Sequence, residues 1–180
     1  MKNLSIESIN LTRVPVMTLV RLRDLTNSVH RGDFRDSGGP PTSFLLDRID
    51  RHVSGFFPFQ ETDRALVIRQ EGQIVAWAFL SEAVFDKQGN LYEGPTVACH
   101  VYVHPRSRRH GLGTYLIQAS LEAARESGAS VLLAYPWSSR SHCFYQAQGF
   151  AVSSGIVPRW GDVVMSYDIE QECNLQKAVV

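Results

Sequence analysis

VYVHPRSRRHGLGTY, Val101 to Tyr115, is the stretch that decides how this chain is read. It opens as an apolar strand and meets Pro105. It then turns through Arg106, Arg108, Arg109, Gly111 and Gly113 into an amphipathic helix. Successive backbone N–H groups in such a turn, with the open N–H groups of the helix's first turn, form an anion cradle. Glycine lets backbone approach a phosphate without a Cβ in the way. Arginine adds charge-assisted hydrogen bonds. The stretch therefore reads as a pyrophosphate site at the C-terminal end of a strand. A plain tight turn with solvated arginines is the structural alternative. It leaves Arg106, Arg108, Arg109 and His110 crowded beside two glycines with nothing to relieve their repulsion.

Spacing narrows the phosphate ligand. A Walker A loop needs G-x-x-x-x-G-K-[ST], yet Gly113 is followed by Thr114 and no lysine is near. A dinucleotide fingerprint needs a third glycine, and Thr114-Tyr115-Leu116 supplies none. What remains is R-x-x-G-x-G, Arg108 to Gly113, after a V-x-V-x-P strand end. This resembles the acyl-CoA-binding motif of the GNAT superfamily of N-acetyltransferases. A second segment, Phe144-Tyr145-Gln146-Ala147-Gln148-Gly149-Phe150, is similar to the family's F-Y-x-x-x-G-F, where a helix leads into the next strand. The two stand in the family's order, and the resemblance spans most of residues 60 to 168.

Bulk properties agree. A chain of 180 residues at 44% hydrophobic and 20% charged is one ordinary globular domain, here residues 1–170 with a loosely ordered tail at 171–180. Net charge is zero, which disfavours a general nucleic-acid binder. No apolar run is long enough for a membrane span, and MKNLSIESIN lacks the apolar stretch of a signal peptide. Cys99, Cys143 and Cys173 have no metal spacing and read as free thiols in a reducing cytoplasm; no metal is expected.

Along the chain, Leu4–Ile9 alternates as a strand, and a helix follows from about Val14 with Thr12 as N-cap and Leu19, Leu22 and Leu25 on one side. Arg31 to Pro41 is a loop by composition; Thr42 then caps a helix with Phe44, Leu45, Ile49 and Val53 inward. Ala65–Arg69 and Gln73–Leu80 flank Glu71-Gly72 as a hairpin. Asp86 to Pro95 is a turn-rich connection before a strand at Val97–Val103. Leu112–Ser127 is a helix with Leu112, Leu116, Ala119 and Ala123 on one face, ended by Gly128. Val131–Tyr135 is a central strand parallel to the previous one, Arg140–Gln148 a helix, and Phe150–Val157 with Val163–Ile169 a last hairpin around Pro158-Arg159-Trp160-Gly161.

The order β-α-α-β-β-β-α-β-α-β-β makes the fold α/β (α+β mixed). The resemblance implies a GNAT-like mixed, mostly antiparallel sheet of about seven strands with about four helices and splayed central parallel strands. It also implies function. The protein is expected to be an acetyl-CoA-dependent N-acetyltransferase acting on a primary amine of a small molecule or of a protein or peptide. A homodimer is an assembly the family allows. Val101, Tyr102, Val103, Arg108, Arg109, His110, Gly111, Leu112, Gly113 and Thr114 are expected to contact the cofactor, largely through backbone. The family's N-x-x-A-x-x-F-Y is here altered, with Ser138 and Ser141 in place of its residues. Ser138 is carried as a cofactor contact and Arg140 as a residue able to reach a phosphate.

The chemistry is amine attack on a thioester. The amine loses a proton and the leaving thiolate gains one. Tyr145 matches the family tyrosine that donates that proton, and its ordinary pKa of about 10 keeps it protonated. The alternative is a core tyrosine with a bonded hydroxyl. His100 has the intrinsic pKa of a base. Alternation sets His100, Tyr102 and His104 on one strand face and Cys99, Val101 and Val103 on the other. Which face meets the acceptor stays open. Glu82, Glu93 and a chain of water molecules are further ways to take the proton.

Acceptor-pocket candidates are Arg31–Pro41 with Asp33 and Asp36, Phe56, Phe57 and Phe59, Asp86 to Glu93, and Arg159-Trp160. Such a phenylalanine cluster is more often simply core. Two other functions compete: a non-catalytic acyl-CoA-binding regulatory or interaction module, and an acyltransferase acting on aminoacyl-tRNA, which zero net charge disfavours.

Overall fold

The computed structural model describes residues 5–33, 44–55, 59–83, 94–136, 138–153 and 164–169. Its elements are β1 (Ile6–Asn10), α1 (Val16–Asp33), α2 (Phe44–Val53), β2 (Arg64–Gln70), β3 (Gln73–Glu82), β4 (Thr96–Val103), α3 (Leu112–Glu126), β5 (Val131–Ala134), α4 (Ser139–Ala147), β6 (Ala151–Val152) and β7 (Met165–Asp168). A single 3-10 turn, Pro105–Ser107, lies between β4 and α3. The order expected from sequence is the order found. The strands form one sheet in the order β1-β2-β3-β4-β5-β7-β6. β4 and β5 are its parallel pair, while β1–β2, β5–β7 and β6–β7 run antiparallel. The described residues fall into two compact units, one within Met1–Phe79 and Val101–Leu116, the other within Leu80–His100 and Ile117–Val180.

In the first unit, α1 buries Leu19, Leu22, Leu25, Thr26 and Val29, a three-and-four spacing that puts them on one stripe. Thr26 is polar but satisfied: its Oγ1 donates to Leu22 O at 2.8 Å and accepts from Trp77 Nε1 at 3.2 Å. That bond ties α1 to β3, and Trp77 in turn stacks on Tyr102 of β4 with ring centroids 5.6 Å apart. The turn Glu71-Gly72 has positive φ at both residues, 51° and 76°, the conformation that joins twisted antiparallel strands with two residues.

Several sequence expectations are corrected here. Thr12 does not cap α1: its N–H and Oγ1 both donate to Asn10 Oδ1, at 2.9 and 2.7 Å, closing an Asx turn, and the helix starts beyond Pro15. Arg31, Gly32 and Asp33 continue α1 instead of opening a loop. Val53 is exposed at the end of α2, whereas Ile49 is buried as expected. Phe59 is core, against Phe79 at 6.0 Å. Thr42, Phe56, Phe57, Asp36, Asp86, Glu93, Arg159, Trp160 and the tail from 171 to 180 lie outside the described residues, and so do the side chains of Asp33, Phe44 and Leu45.

In the second unit, α3 turns Ile117, Ser120, Leu121 and Ala124 inward, so Ala119 and Ala123 are flank, not stripe. Gly128 ends the helix at φ +77°, with its N–H on Arg125 O at 2.9 Å and the Ala129 N–H on Ala124 O at 2.9 Å. No helix among the described residues is long and apolar enough to cross a membrane.

Candidate active site

β4 carries the site's backbone. Its parallel ladder with β5 runs from Thr96↔Val131 to Cys99↔Ala134 and goes no further, although β4 continues as strand to Val103. Pro136, two residues beyond Ala134, has no N–H to give a ladder and holds the residue before it extended. Cys99 faces α3, its Sγ 3.5 Å from Ser120 Oγ, and burial pushes its thiol up to about 12. Tyr102 faces Trp77. Cys99 thus lies toward α3 and Tyr102 beside Trp77. Tyr102 and Val101 are buried, so what Tyr102 can offer a ligand is backbone.

The turn after β4 is built from its own residues. His104 N is fixed to Val75 O at 2.9 Å. His104 Nδ1 accepts from Arg106 N at 3.3 Å and caps the 3-10 turn; His110 Nδ1 lies 3.3 Å from Ser107 O. Arg108 Nε donates to Val103 O at 3.2 Å, folding the turn back on the strand end. Arg109 and Gly111 both take positive φ, 67° and 77°. Left-handed residues in such a turn aim neighbouring N–H groups into a common concavity. Arg109, His110, Gly111 and Thr114 are exposed, Val103, Arg108 and Gly113 half-buried, and Leu112 buried at the first position of α3. The residue before α3 is Gly111, which has no side chain to cap the helix, and no acid stands in its first turn. The result is a basic, exposed helix start.

α4 starts differently. Ser138 is its N-cap and Ser141 its N3 residue, and they form a reciprocal box: Ser141 N donates to Ser138 Oγ at 3.1 Å, and Ser138 N donates to Ser141 Oγ at 3.0 Å. The serines that depart from the family pattern thus have a folding role. Arg140 is exposed.

Tyr145 is 2% exposed on α4 and packs edge-on against Phe144 and Phe150, at 5.2 and 5.4 Å. Gly149 follows at φ +90°, and an added Cβ would meet Tyr167 Cε2 at 3.1 Å, so both conformation and space call for glycine. Phe144, expected as core, is only half-buried. His100 stacks on Tyr135, ring centroids 5.2 Å apart and planes 11° from parallel. Loss of solvent pushes its imidazole down to about 4, so the ring is neutral at neutral pH, although the residue as a whole is half-buried. Glu82 is exposed at the end of β3.

The fold thus gathers Val101 to Thr114 in the first unit, and holds His100, Ser138 and Tyr145 in the second. Tyr135 escaped the sequence analysis. Its signal was an aromatic residue one position past the last apolar pair of a parallel strand. Among the described residues no three His, Cys, Asp or Glu side chains form a group that could hold a metal ion.

Comparison with known proteins agrees with the fold. The Acetyltransferase (GNAT) family matches over residues 25–150, and the chain belongs to that family. Among solved structures, a protein from Desulfovibrio desulfuricans assigned to the GNAT acetyltransferases superposes with a TM-score of 0.66 at 14% identity, covering 93% of this chain and 99% of that one. A protein assigned as a phosphinothricin N-acetyltransferase gives 0.64 at 21% identity, with 93% and 99% covered. A protein from Salmonella typhimurium assigned as an acetyltransferase, solved with its cofactor acetyl-CoA, gives 0.59 at 20% identity, with 92% and 94% covered. No curated protein sequence matches the chain.

Proposed function

We propose that the protein is an acetyl-CoA-dependent N-acetyltransferase that acylates a primary amine of a small molecule or of a protein or peptide, in the cytoplasm. The observation that carries this is the turn from Arg108 to Gly113, basic and exposed, with left-handed backbone at Arg109 and Gly111 running into a helix that no side chain at Gly111 can cap. It suits a pyrophosphate. The strand end before it, Val101 to Val103, suits the amides of a pantetheine arm, which would add to β4 as a short strand. When bound, acetyl-CoA supplies an activated carbonyl.

Tyr145 is the proposed acid. The amine nitrogen bonds to the carbonyl carbon, the carbon–sulfur bond breaks, and the Tyr145 hydroxyl gives its proton to the departing sulfur. His100 suits a positioning role better than that of base. An imidazole whose conjugate acid lies near 4 takes a proton only weakly at neutral pH. The amine's proton then leaves through water. The non-catalytic alternative drew on Ser138 and Ser141 and on the missing base; the capping box accounts for the serines, and a proton that leaves through water needs no dedicated base.

The test is thermal stability with acetyl-CoA, CoA or ATP, followed by thiol detection across a panel of amines. A ligand at a hundredfold excess over its Kd adds about 2.7 kcal/mol. A rise with acetyl-CoA and CoA but not ATP, then thiol release with an amine, is expected. No rise with millimolar acetyl-CoA overturns the proposal; binding without thiol release from any amine favours the regulatory module.

A further inference from the structure

The parting of β4 and β5 has a definite position. Their last paired residues are Cys99 and Ala134. His100 comes next on β4 and Tyr135 directly after the end of β5, and there the backbone ladder is replaced by a ring stack, centroids 5.2 Å apart and 11° from parallel. Parallel strands pair at about 4.8 Å, so two flat rings seated side by side fill the width of one strand spacing. Pro136 follows and removes the next donor on the β5 side. Beyond this point β4 goes on without a ladder to β5 for Val101 to Val103, the stretch to which a pantetheine arm is assigned above.

We infer that the His100–Tyr135 stack is a positioning pair: it fixes where β4 parts from β5, and so how far along β4 the acyl end of the donor can travel. This rests on the acetyl-CoA reading and adds to it the residues that set the donor's depth. The rings act by shape and neither moves a proton. Several observations favour this over a base at His100. Burial keeps the imidazole neutral. Its face is taken by Tyr135. Cys99 beside it points toward α3, its Sγ 3.5 Å from Ser120 Oγ, so strand alternation puts the imidazole on the opposite face.

The consequence is specific. A ring is needed at each position, while the imidazole nitrogens and the phenol hydroxyl are not. His100→Phe and Tyr135→Phe keep the stack; His100→Ala and Tyr135→Ala remove it. The experiment measures calorimetric Kd for acetyl-CoA, thiol release with whichever panel amine the wild type uses, the pH profile of kcat, and Tm for all five proteins. Both alanine variants are expected to lose kcat by about tenfold or more through a misplaced donor. Both phenylalanine variants are expected to stay within about threefold of wild type, with an unchanged pH profile. A merely structural role would lower Tm without that split between ring-keeping and ring-removing variants in kcat. Loss of turnover in folded His100→Phe, with an ionisation gone from the pH profile, overturns the inference in favour of a base. Wild-type kcat in both alanine variants also overturns it. If the wild type itself neither binds acetyl-CoA nor releases thiol, the reading beneath fails and takes this inference with it.

Discussion

The chain leaves its two parallel strands by two similar routes that end in opposite ways. β4 exits through His104-Pro105 into α3, and β5 exits through Tyr135-Pro136 into α4. At α4, Ser138 and Ser141 fill the helix start with a reciprocal pair of side-chain bonds. At α3, the capping position is Gly111, a residue with nothing to offer, preceded by Arg108, Arg109 and His110. Both helices have backbone N–H groups that need partners. One supplies partners from its own sequence, while the other surrounds them with positive charge and left-handed backbone. The difference points to where the proposed anion would sit: one helix start carries its own side-chain cap, and the other has a glycine at the capping position.

Several substitutions would break or sharpen that contrast. Giving α3 the missing cap is the most severe. Gly111→Asp places a carboxylate where the pyrophosphate is proposed to sit, and CoA affinity should fall roughly 100-fold, read by calorimetry, because like charges oppose each other in a shared site. Tyr145→Phe should lower kcat by roughly 100-fold while changing CoA affinity little, since the ring's packing against Phe144 and Phe150 survives the loss of the hydroxyl.

The pH dependence of stability comes next. His100 sits near 4 in the folded protein, below its unfolded value, so the unfolded chain binds the proton first. Stability should therefore fall as pH drops from about 6.5 toward 4, by on the order of 2 kcal/mol with allowance for the residue's partial exposure. Cys99, raised to about 12, has the opposite window: stability falls as pH rises above its unfolded value, because only the unfolded thiol ionises there. Urea titrations across pH, with His100→Phe and Cys99→Ala as references, would separate the two.

On the capped side, Ser138→Ala should cost about 1 kcal/mol of stability. The smallest effect is at Arg109, whose φ of 67° is unfavourable for a side-chain-bearing residue. Arg109→Gly should leave Tm level or slightly raised and weaken CoA binding by a few-fold, with a shallower salt dependence than wild type.

The same contrast explains what the sequence could reveal. The R-x-x-G-x-G turn is contiguous, so its glycines, arginines and place after a strand were readable together. The order of elements and the parallel pairing of β4 with β5 followed from apolar runs and their punctuation. What escaped depends on partners distant in the chain. Asn10 took Thr12 into an Asx turn, which moved the start of α1. Gly32 lies inside a helix that composition would have ended. The stripe of α3 follows Ile117, Ser120 and Leu121 because Cys99 and its neighbours set the facing surface. The serines of α4 looked like a departure in ligand contacts and proved to be a capping box, which spacing alone could have suggested. Tyr135 meets His100 only through strand register, and register is invisible until the sheet is assembled.

The turn between β4 and α3 is proposed to hold a pyrophosphate. The most direct measurement compares calorimetric Kd values of CoA and of pantetheine, the same arm without its nucleotide and phosphates, at low and high salt. The account predicts CoA binding at least about 100-fold tighter than pantetheine, with the gap narrowing as salt rises. Equal affinities, or a CoA affinity indifferent to salt, would contradict it.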